Sequence, residues 1–292
     1  MVIALFSREI NDSTKNVINS FFSSKHAKQS KFFIEKNILD GLENIENLNL
    51  VPFETSNDLN SSIEIMLSIG GDGTFLRSIE FVRDLDIPVL GINTGNLGFL
   101  ATSKKENIND LIDKIFEKEY SIENRTLIKV NSDDIGINDS IFPYALNEVS
   151  VVRKDTTSMI NIKTSLDGNH LNNYWADGLI VSTPTGSTGY SLSCGGPVIS
   201  PTSASFVLTP ISPHNLNVRP LVISDKTKIE LSVSGREKNH LLSIDSKIFT
   251  IENNTKIKIE KADFNFNIAH FSDNSFYESL KEKLLWGKDK RN

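Results

Sequence analysis

The chain has 292 residues, enough for two hydrophobic cores, and its 38% hydrophobic and 23% charged residues are typical of a soluble globular protein. Its net charge of −6 argues against nucleic acid as the main partner, because nucleic acid binding favours a basic face. The single cysteine, Cys194, excludes an intramolecular disulfide and fits a reducing compartment, so we expect a cytoplasmic location. The sequence has no apolar run of about 18 residues, and we expect no membrane partner.

The first part of the chain, up to about residue 102, alternates between apolar strands and helices. We predict strands at 2–6, 63–69 and 87–92 and an apolar segment at 31–34. Helices are predicted at 13–22, with Ser13 as the N-cap, and at 75–83. This alternation indicates an α/β domain with a parallel sheet, whose ligands bind at the carboxyl ends of the strands.

Residues 68–74 read Ser-Ile-Gly-Gly-Asp-Gly-Thr and lie between a predicted strand and a predicted helix. Glycines let a ligand approach the backbone closely, and the N–H groups at a helix start suit a phosphate. Asp72 is unexpected there, because a carboxylate repels phosphate, and it suggests catalysis or metal contact. The alternative is a tight turn in which Asp72 is the helix N-cap.

A second glycine-rich loop follows the next strand, at residues 91–100, and reads Gly-Ile-Asn-Thr-Gly-Asn-Leu-Gly-Phe-Leu. Its polar side chains could bind a ligand, and Phe99 could pack against a base. An ordinary turn has a similar composition.

From about residue 125 the pattern changes to short strands separated by turns. We predict strands at 127–130, 145–152, 159–166, 179–182, 205–209, 228–233, 241–244 and 256–260. They indicate an all-β, sandwich-like second domain. The tail, 275–285, is predicted to form a helix that returns to the first domain, with a frayed tail as the alternative. We therefore expect an α/β domain at 1–102 and 270–292 and a β-rich domain at 103–269.

Two segments of the β-rich part carry candidate ligand contacts. Asn147 and Glu148 interrupt the apolar strand 145–152, where one of the two would face a core unless the strand opens into a cleft. An edge strand with solvated polar residues is the alternative. Residues 177–197 run from a strand into a long loop rich in glycine and hydroxyl groups, which can bind phosphates, ribose hydroxyls and base edges. Tyr190 adds a ring for stacking, and a linker is the alternative.

Other chemistries lack their motifs. The sequence has no GxxxxGK[ST] phosphate loop and no GxGxxG fingerprint, and Ser187 is offset from the GxSxG elbow. None of the five histidines lies at zinc spacing with Cys194, which argues against a zinc site. His214 is interpreted as a structural hydrogen-bonding residue.

Taken in chain order, these segments resemble the NAD kinase family. The Gly-Gly-Asp-Gly-Thr loop alone is shared with lipid kinases and phosphofructokinases. Residues 93–100, the pair Asn147-Glu148, residues 177–197 and the pairs at 213–214 and 219–220 look like NAD kinases specifically. The resemblance implies an α/β domain and a β-sandwich domain with the active site between them, and homo-oligomers, either dimers or tetramers.

The resemblance also implies ATP-dependent phosphorylation of the 2′-hydroxyl of the adenosine ribose of NAD, giving NADP, with Mg²⁺ or another divalent cation. That cation would be held mainly by the ATP phosphates, so we expect no dedicated metal site in the chain. Asp72 would accept the proton, with Gly73 and Arg77 close to the dinucleotide. The remaining nucleotide contacts would be Phe99, Asn147, Glu148, Asp177, Thr188, Gly189, Tyr190, Ser191, Leu192, Ser193 and Lys247.

Two positions depart from the family pattern. Trp175 lies where relatives often carry a basic residue, so the choice between NAD and NADH is left open. Lys247 lies where many relatives have Gln, which leaves the nucleotide contact at that position open. The sequence does not decide between ATP and polyphosphate as the phosphoryl donor. A lipid kinase of the same superfamily would need an apolar acyl-chain pocket. A non-catalytic sensor of NAD(H) or NADP(H) would have no need of Asp72.

Overall fold

The computed structural model describes residues 1–42, 47–95, 98–101, 103–104, 108–132, 142–155, 158–271 and 276–284. The chain divides into two compact units, Met1–Asn124 with Phe266–Asn292, and Arg125–Asn265. The first unit extends beyond the predicted 1–102 and 270–292, because a helix after residue 107 packs into its core.

The first unit is built on a parallel sheet. Its strands run in the order β3-β2-β1-β4-β5, and a short strand, β6, also pairs with β5. The bounds are β1 (Val2–Phe6), β2 (Lys31–Glu35), β3 (Asn49–Phe53), β4 (Ile65–Ile69), β5 (Val89–Asn93) and β6 (Ser103–Lys104). β4 and β5 are buried along their whole length, as expected for central strands of a parallel sheet.

Four helices of this unit are α1 (Asp12–Ser23), α2 (Lys36–Asp40), α3 (Asp72–Val82) and α4 (Ile108–Phe116). The N-cap of α1 is Asn11 rather than the predicted Ser13, because the Asn11 side chain accepts the N–H of Thr14 at 2.9 Å. The predicted helix 75–83 begins earlier, at Asp72, and its N-cap Gly71 makes no side-chain cap. The alternative of Asp72 as N-cap is therefore wrong. Leu111, Ile112 and Ile115 of α4 join the core of the sheet.

The second unit is a β-sandwich, as predicted. Its strands are β7 (Ser121–Asn131), β8 (Tyr144–Ala145), β9 (Glu148–Arg153), β10 (Ile160–Leu166), β11 (Asn169–Ala176), β12 (Gly178–Ser182), β13 (Ser205–Ile211), β14 (Leu221–Ser224), β15 (Ile229–Ser234), β16 (Asn239–Ile244), β17 (Lys247–Glu252) and β18 (Lys256–His270). One antiparallel sheet has the order β14-β13-β12-β9-β16-β17. Facing it, β11-β10-β15-β18 form a second antiparallel layer.

One core lies between the two layers of the sandwich. Val151 and Val181 come from the first layer, and Ile162, Leu231 and Ile257 come from the second. Alternate residues of β15 and β16 are buried, which is the period of a strand with one face on a core. A short helix, α5 (Tyr190–Ser193), follows β12 after one turn of 3-10 helix.

The chain returns to the first unit at Phe266, and the last helix, α6 (Phe276–Leu284), belongs to it. α6 buries Ser279 and Leu280. The predicted ends of this helix, Ser275 and Leu285, lie outside the described residues. Within the described part of the chain, no helix is long and apolar enough to cross a membrane.

Candidate active site

The carboxylate of Asp72 is fixed by three backbone N–H groups. Asp72 is the first residue of α3, at the carboxyl end of β4. Its Oδ2 accepts the N–H of Phe99 at 2.7 Å, and its Oδ1 accepts those of Leu100 and Ala101 at 3.1 and 3.0 Å. The loops after β4 and β5 are thus joined through this one side chain, at the sheet edge where ligands of α/β folds bind.

Glycines allow this close approach of the two loops. A Cβ at Gly98 would overlap the Asp72 carboxylate, so only glycine fits there. Gly70 has φ +153°, a conformation that residues with side chains rarely adopt. Among the described residues, a Cβ on Gly73 would have only Arg8 Nη1 within 4 Å, at 3.8 Å, so the backbone at Gly73 is open to a ligand. Arg77 lies exposed on the same helix.

In the second glycine-rich loop, a polar side chain makes hydrogen bonds within the loop itself. Asn93 is buried, accepts the N–H of Gly95 at 2.7 Å and donates to the carbonyl of Ala101 at 3.2 Å. Its side chain therefore shapes the loop, and the expectation that polar side chains of this loop bind a ligand stays a prediction. Phe99 is half-buried, with Lys283 Nζ 4.4 Å from its ring centroid. Asn96 and Leu97 lie outside the described residues.

In the second unit, Asn147 and Glu148 lie at a break between strands. Leu146 and Asn147 form a bend, and β9 begins at Glu148, so the predicted continuous strand 145–152 is wrong. The cause is Asp245, whose carboxylate accepts the N–H groups of Leu146, Asn147 and Glu148 at 2.8, 2.9 and 3.0 Å. These donors point to one side chain instead of to a neighbouring strand.

Asp245 is a site residue that the sequence interpretation missed. It lies in the two-residue turn between β16 and β17 with φ +47°, and its own N–H donates to the carbonyl of Glu148 at 3.0 Å. Burial raises the pKa of Asp245 to about 6, although the three N–H donors and Lys247 favour its ionised form. The signal in the sequence was an Asp directly after the predicted strand 241–244, which is ordinary.

The carboxyl group of Glu148 has a pKa near neutral pH. Burial raises its pKa to about 7, the negative charge of Asp245 adds to this, and the N–H of Tyr190 acts in the opposite direction. Glu148 Oε2 is buried without a hydrogen-bond partner among the described residues. A buried acceptor without a partner is costly, so this oxygen is available to a hydroxyl donor.

Part of the third motif, the glycine- and hydroxyl-rich segment 177–197, packs directly against this bend. Gly186 lies so close to the backbone of Asn147 that a Cβ would overlap its carbonyl, and the N–H of Thr183 donates to the Asn147 carbonyl at 2.9 Å. A Cβ on Gly189 would lie 3.2 Å from Glu148 Oε2. The structure therefore brings Asn147, Glu148 and the 183–190 segment into one cluster.

Side chains of the third motif differ in how accessible they are. Tyr190 is 43% exposed, Ser193 is exposed, and Leu192 is half-buried. The hydroxyl of Ser191 is buried against Thr209 Oγ1 at 2.8 Å, so this group is used within the fold. Thr188 Oγ1 donates to the carbonyl of Thr185 at 3.3 Å, an internal contact of the turn.

Asp177 lies at the end of the 169–176 strand and is held by Arg153. Arg153 Nη2 is 3.1 Å from Asp177 Oδ2, and the N–H of Arg153 donates to the Asp177 carbonyl at 2.9 Å. Trp175 is 61% exposed, and its carbonyl accepts the N–H of His214 at 2.8 Å. Arg153 and Trp175 also line a cavity of about 700 Å³ whose other walls include Asn161 and Arg236.

Lys247 opens β17, two residues after Asp245. Its Nζ lies 5.4 Å from the centroid of the Phe142 ring, a cation–π contact. Its positive charge also lowers the pKa of Asp245. Lys247 thus favours the ionised form of Asp245, the carboxylate that holds the bend at 146–148.

Comparisons with known proteins agree on one family. The model of the ATP-NAD kinase N-terminal domain matches residues 16–120, and that of the ATP-NAD kinase C-terminal domain matches residues 146–271. The NAD kinase of Flavobacterium psychrophilum is 47% identical over 296 aligned residues, covering 100% of both chains.

Two solved structures are similar to this chain. An NAD kinase from Archaeoglobus fulgidus, in complex with ATP, has a TM-score of 0.71 at 25% identity, covering 98% of this chain and 99% of that one. Yeast NADH kinase complexed with NADH has a TM-score of 0.87, covering 99% of this chain and 89% of that one; at 22% identity it is similar in fold.

Proposed function

The chain belongs to the NAD kinase family, and we propose that it transfers a phosphoryl group from ATP to the 2′-hydroxyl of the adenosine ribose of NAD, giving NADP. The observation that carries the proposal is the Asp72 carboxylate, held by three N–H groups at the carboxyl end of β4. Phosphoryl transfer depends mainly on positioning and charge, which a fixed carboxylate beside open glycine backbone provides.

Asp72 is the proton acceptor in this proposal. A carboxylate has about four acceptor positions. Within the described residues Oδ1 accepts two N–H groups and Oδ2 accepts one, which leaves capacity mainly on Oδ2. Oδ2 would receive the proton of the 2′-hydroxyl as the new P–O bond forms. The open backbone at Gly73 and the exposed guanidinium of Arg77 would lie close to the dinucleotide.

Glu148 and its neighbours would bind NAD. Glu148 Oε2 lacks a partner within the described residues, so it would accept a hydrogen bond from a ribose hydroxyl. Asp177, held by Arg153, would accept another. The ring of Tyr190 is exposed for stacking, and the remaining contacts would come from Asn147, Thr188, Gly189, Leu192, Ser193 and Lys247. Ser191, buried with its hydroxyl against Thr209, would support this segment from within the fold.

Mg²⁺ or another divalent cation would enter with ATP and be bound mainly by its phosphates. Among the described residues there is no group of three His, Cys, Asp or Glu side chains that could hold a metal by itself. When bound, the cation offsets the negative charge of the phosphates.

The test is formation of NADP from NAD and ATP by the purified chain with Mg²⁺, measured with an NADP-specific dehydrogenase. Diacylglycerol replaces NAD in a parallel reaction, and polyphosphate replaces ATP in another. We expect NADP from NAD and ATP and no lipid phosphate. Binding of NAD without NADP formation would favour the sensor, and lipid phosphorylation would favour the lipid kinase. The homo-oligomer and the cytoplasmic location stay predictions.

A further inference from the structure

Lys283 of α6 lies beside the Asp72 loop. Its Nζ is 4.4 Å from the centroid of the Phe99 ring, and the N–H of Phe99 is the group that donates to Asp72 Oδ2 at 2.7 Å. All three residues belong to the first compact unit. Phe99 therefore contacts both the ammonium of Lys283 and the carboxylate that we propose as the proton acceptor.

The register of α6 places this lysine. Leu280 is buried, and Lys283 follows it by three residues, which puts the two side chains on the same face of a helix. Lys283 is half-buried, whereas Lys281 on the same helix is exposed. Two lysines of one helix are thus placed differently, one at the loop and one in solvent.

The contacts of Lys283 leave its charge available. Within the part of the chain that the structure describes, it forms no direct ion pair, and its close partner is an aromatic ring. A ring face attracts an ammonium without neutralising it. Burial lowers the pKa of Lys283, while the negative charges of Asp72 and Glu282 raise it.

A carboxylate that accepts a proton at this position also repels the phosphates that must approach it. A nearby cation offsets that repulsion, and lysine ammonium groups bind phosphate as point charges. We propose that Lys283 binds the phosphate chain of ATP beside Asp72 during phosphoryl transfer. This inference rests on the proposed kinase function and adds to it a residue outside the glycine-rich loops.

The experiment compares Lys283→Gln with Lys281→Gln and Lys283→Arg in the full chain. Because a hydrogen bond between charged groups is lost, we expect kcat/KM for ATP to fall roughly 10- to 100-fold in Lys283→Gln. The Kd for NAD should change less than about twofold, Lys281→Gln should match the unaltered chain, and Lys283→Arg should recover part of the loss.

Two results would overturn the inference. One is an unchanged kcat/KM for ATP in Lys283→Gln. The other is an equal loss for ATP and NAD in Lys283→Gln and Lys283→Arg alike, which indicates a structural role. Thermal unfolding midpoints of all variants show whether the helix still docks. If the unaltered chain formed no NADP, the proposed function would fail instead, so the two failures are distinguishable.

Discussion

Glu148→Gln should change the pH dependence of stability. In the folded chain the pKa of Glu148 is raised from 4.5 to about 7, so the folded state holds its proton more tightly than the unfolded state. Stability from this group is therefore present below about pH 4.5 and lost as the pH rises towards 7. At about 1.4 kcal/mol for each pH unit, the shift from 4.5 to about 7 corresponds to a loss of at most about 3.5 kcal/mol. Gln stays neutral and avoids that loss.

The assay is urea unfolding of the unaltered chain and the variant at pH 4.5 and pH 8. Compared with the unaltered chain, Glu148→Gln should gain up to about 3 kcal/mol in unfolding free energy between the two pH values. Glu237→Gln, at an exposed position, is the matched control and should show no such gain. If the difference in unfolding free energy between Glu148→Gln and the unaltered chain were the same at both pH values, the pKa of Glu148 would not be raised in the folded chain.

Further predictions concern ligand binding and the bend at 146–148. Glu148→Gln should weaken NAD binding at pH 8 by about tenfold and ATP binding much less, because an amide replaces a charged acceptor; calorimetric titration of each ligand checks this, and equal losses would contradict it. Asp245→Asn should lower the unfolding free energy by about 1–3 kcal/mol and raise the Kd for NAD. The reason is that the amide N–H₂ of Asn is itself a donor and cannot accept a hydrogen bond from the backbone N–H groups of the bend. The exposed Asp263→Asn is its control, and an unchanged Kd for NAD would count against the role of the bend.

Local sequence patterns predicted the centre of the α/β unit. β4 and β5 are uninterrupted apolar runs, and the glycine loop marks the start of α3, so pattern and structure agree there. α4 was missed although Leu111, Ile112 and Ile115 repeat at helical spacing, a signal that the sequence does contain.

Strands with weak apolar patterns were not predicted. β11 has three exposed residues at its start, and β14 is a four-residue edge strand whose residues are mostly exposed. β17 is the other edge of the same sheet and carries an exposed Ile248. Such strands are formed by pairing with their neighbours, and pairing is not visible in local periodicity.

Long-range contacts account for the parts of the site that the sequence did not reveal. The hydrogen bond of Asp245 to Asn147 joins residues 98 positions apart, and it ends the strand that local pattern had extended through 147. The three N–H bonds to Asp72 likewise come from a loop 27 to 29 positions away. The residue types at each motif were readable, but the partners that orient them were not.

The most direct test of Asp72 as the proton acceptor is the turnover of Asp72→Asn. Turnover is measured as NADP formation at saturating NAD and ATP. Loss of the proton acceptor should lower kcat by about 10²–10⁴-fold, while the Kd for NAD changes only a few-fold. Asn supplies one carbonyl oxygen for three N–H donors, so the thermal midpoint should also fall, and exposed Asp84→Asn should behave as the unaltered chain. A folded Asp72→Asn variant with nearly unaltered turnover would show that Asp72 is not the proton acceptor.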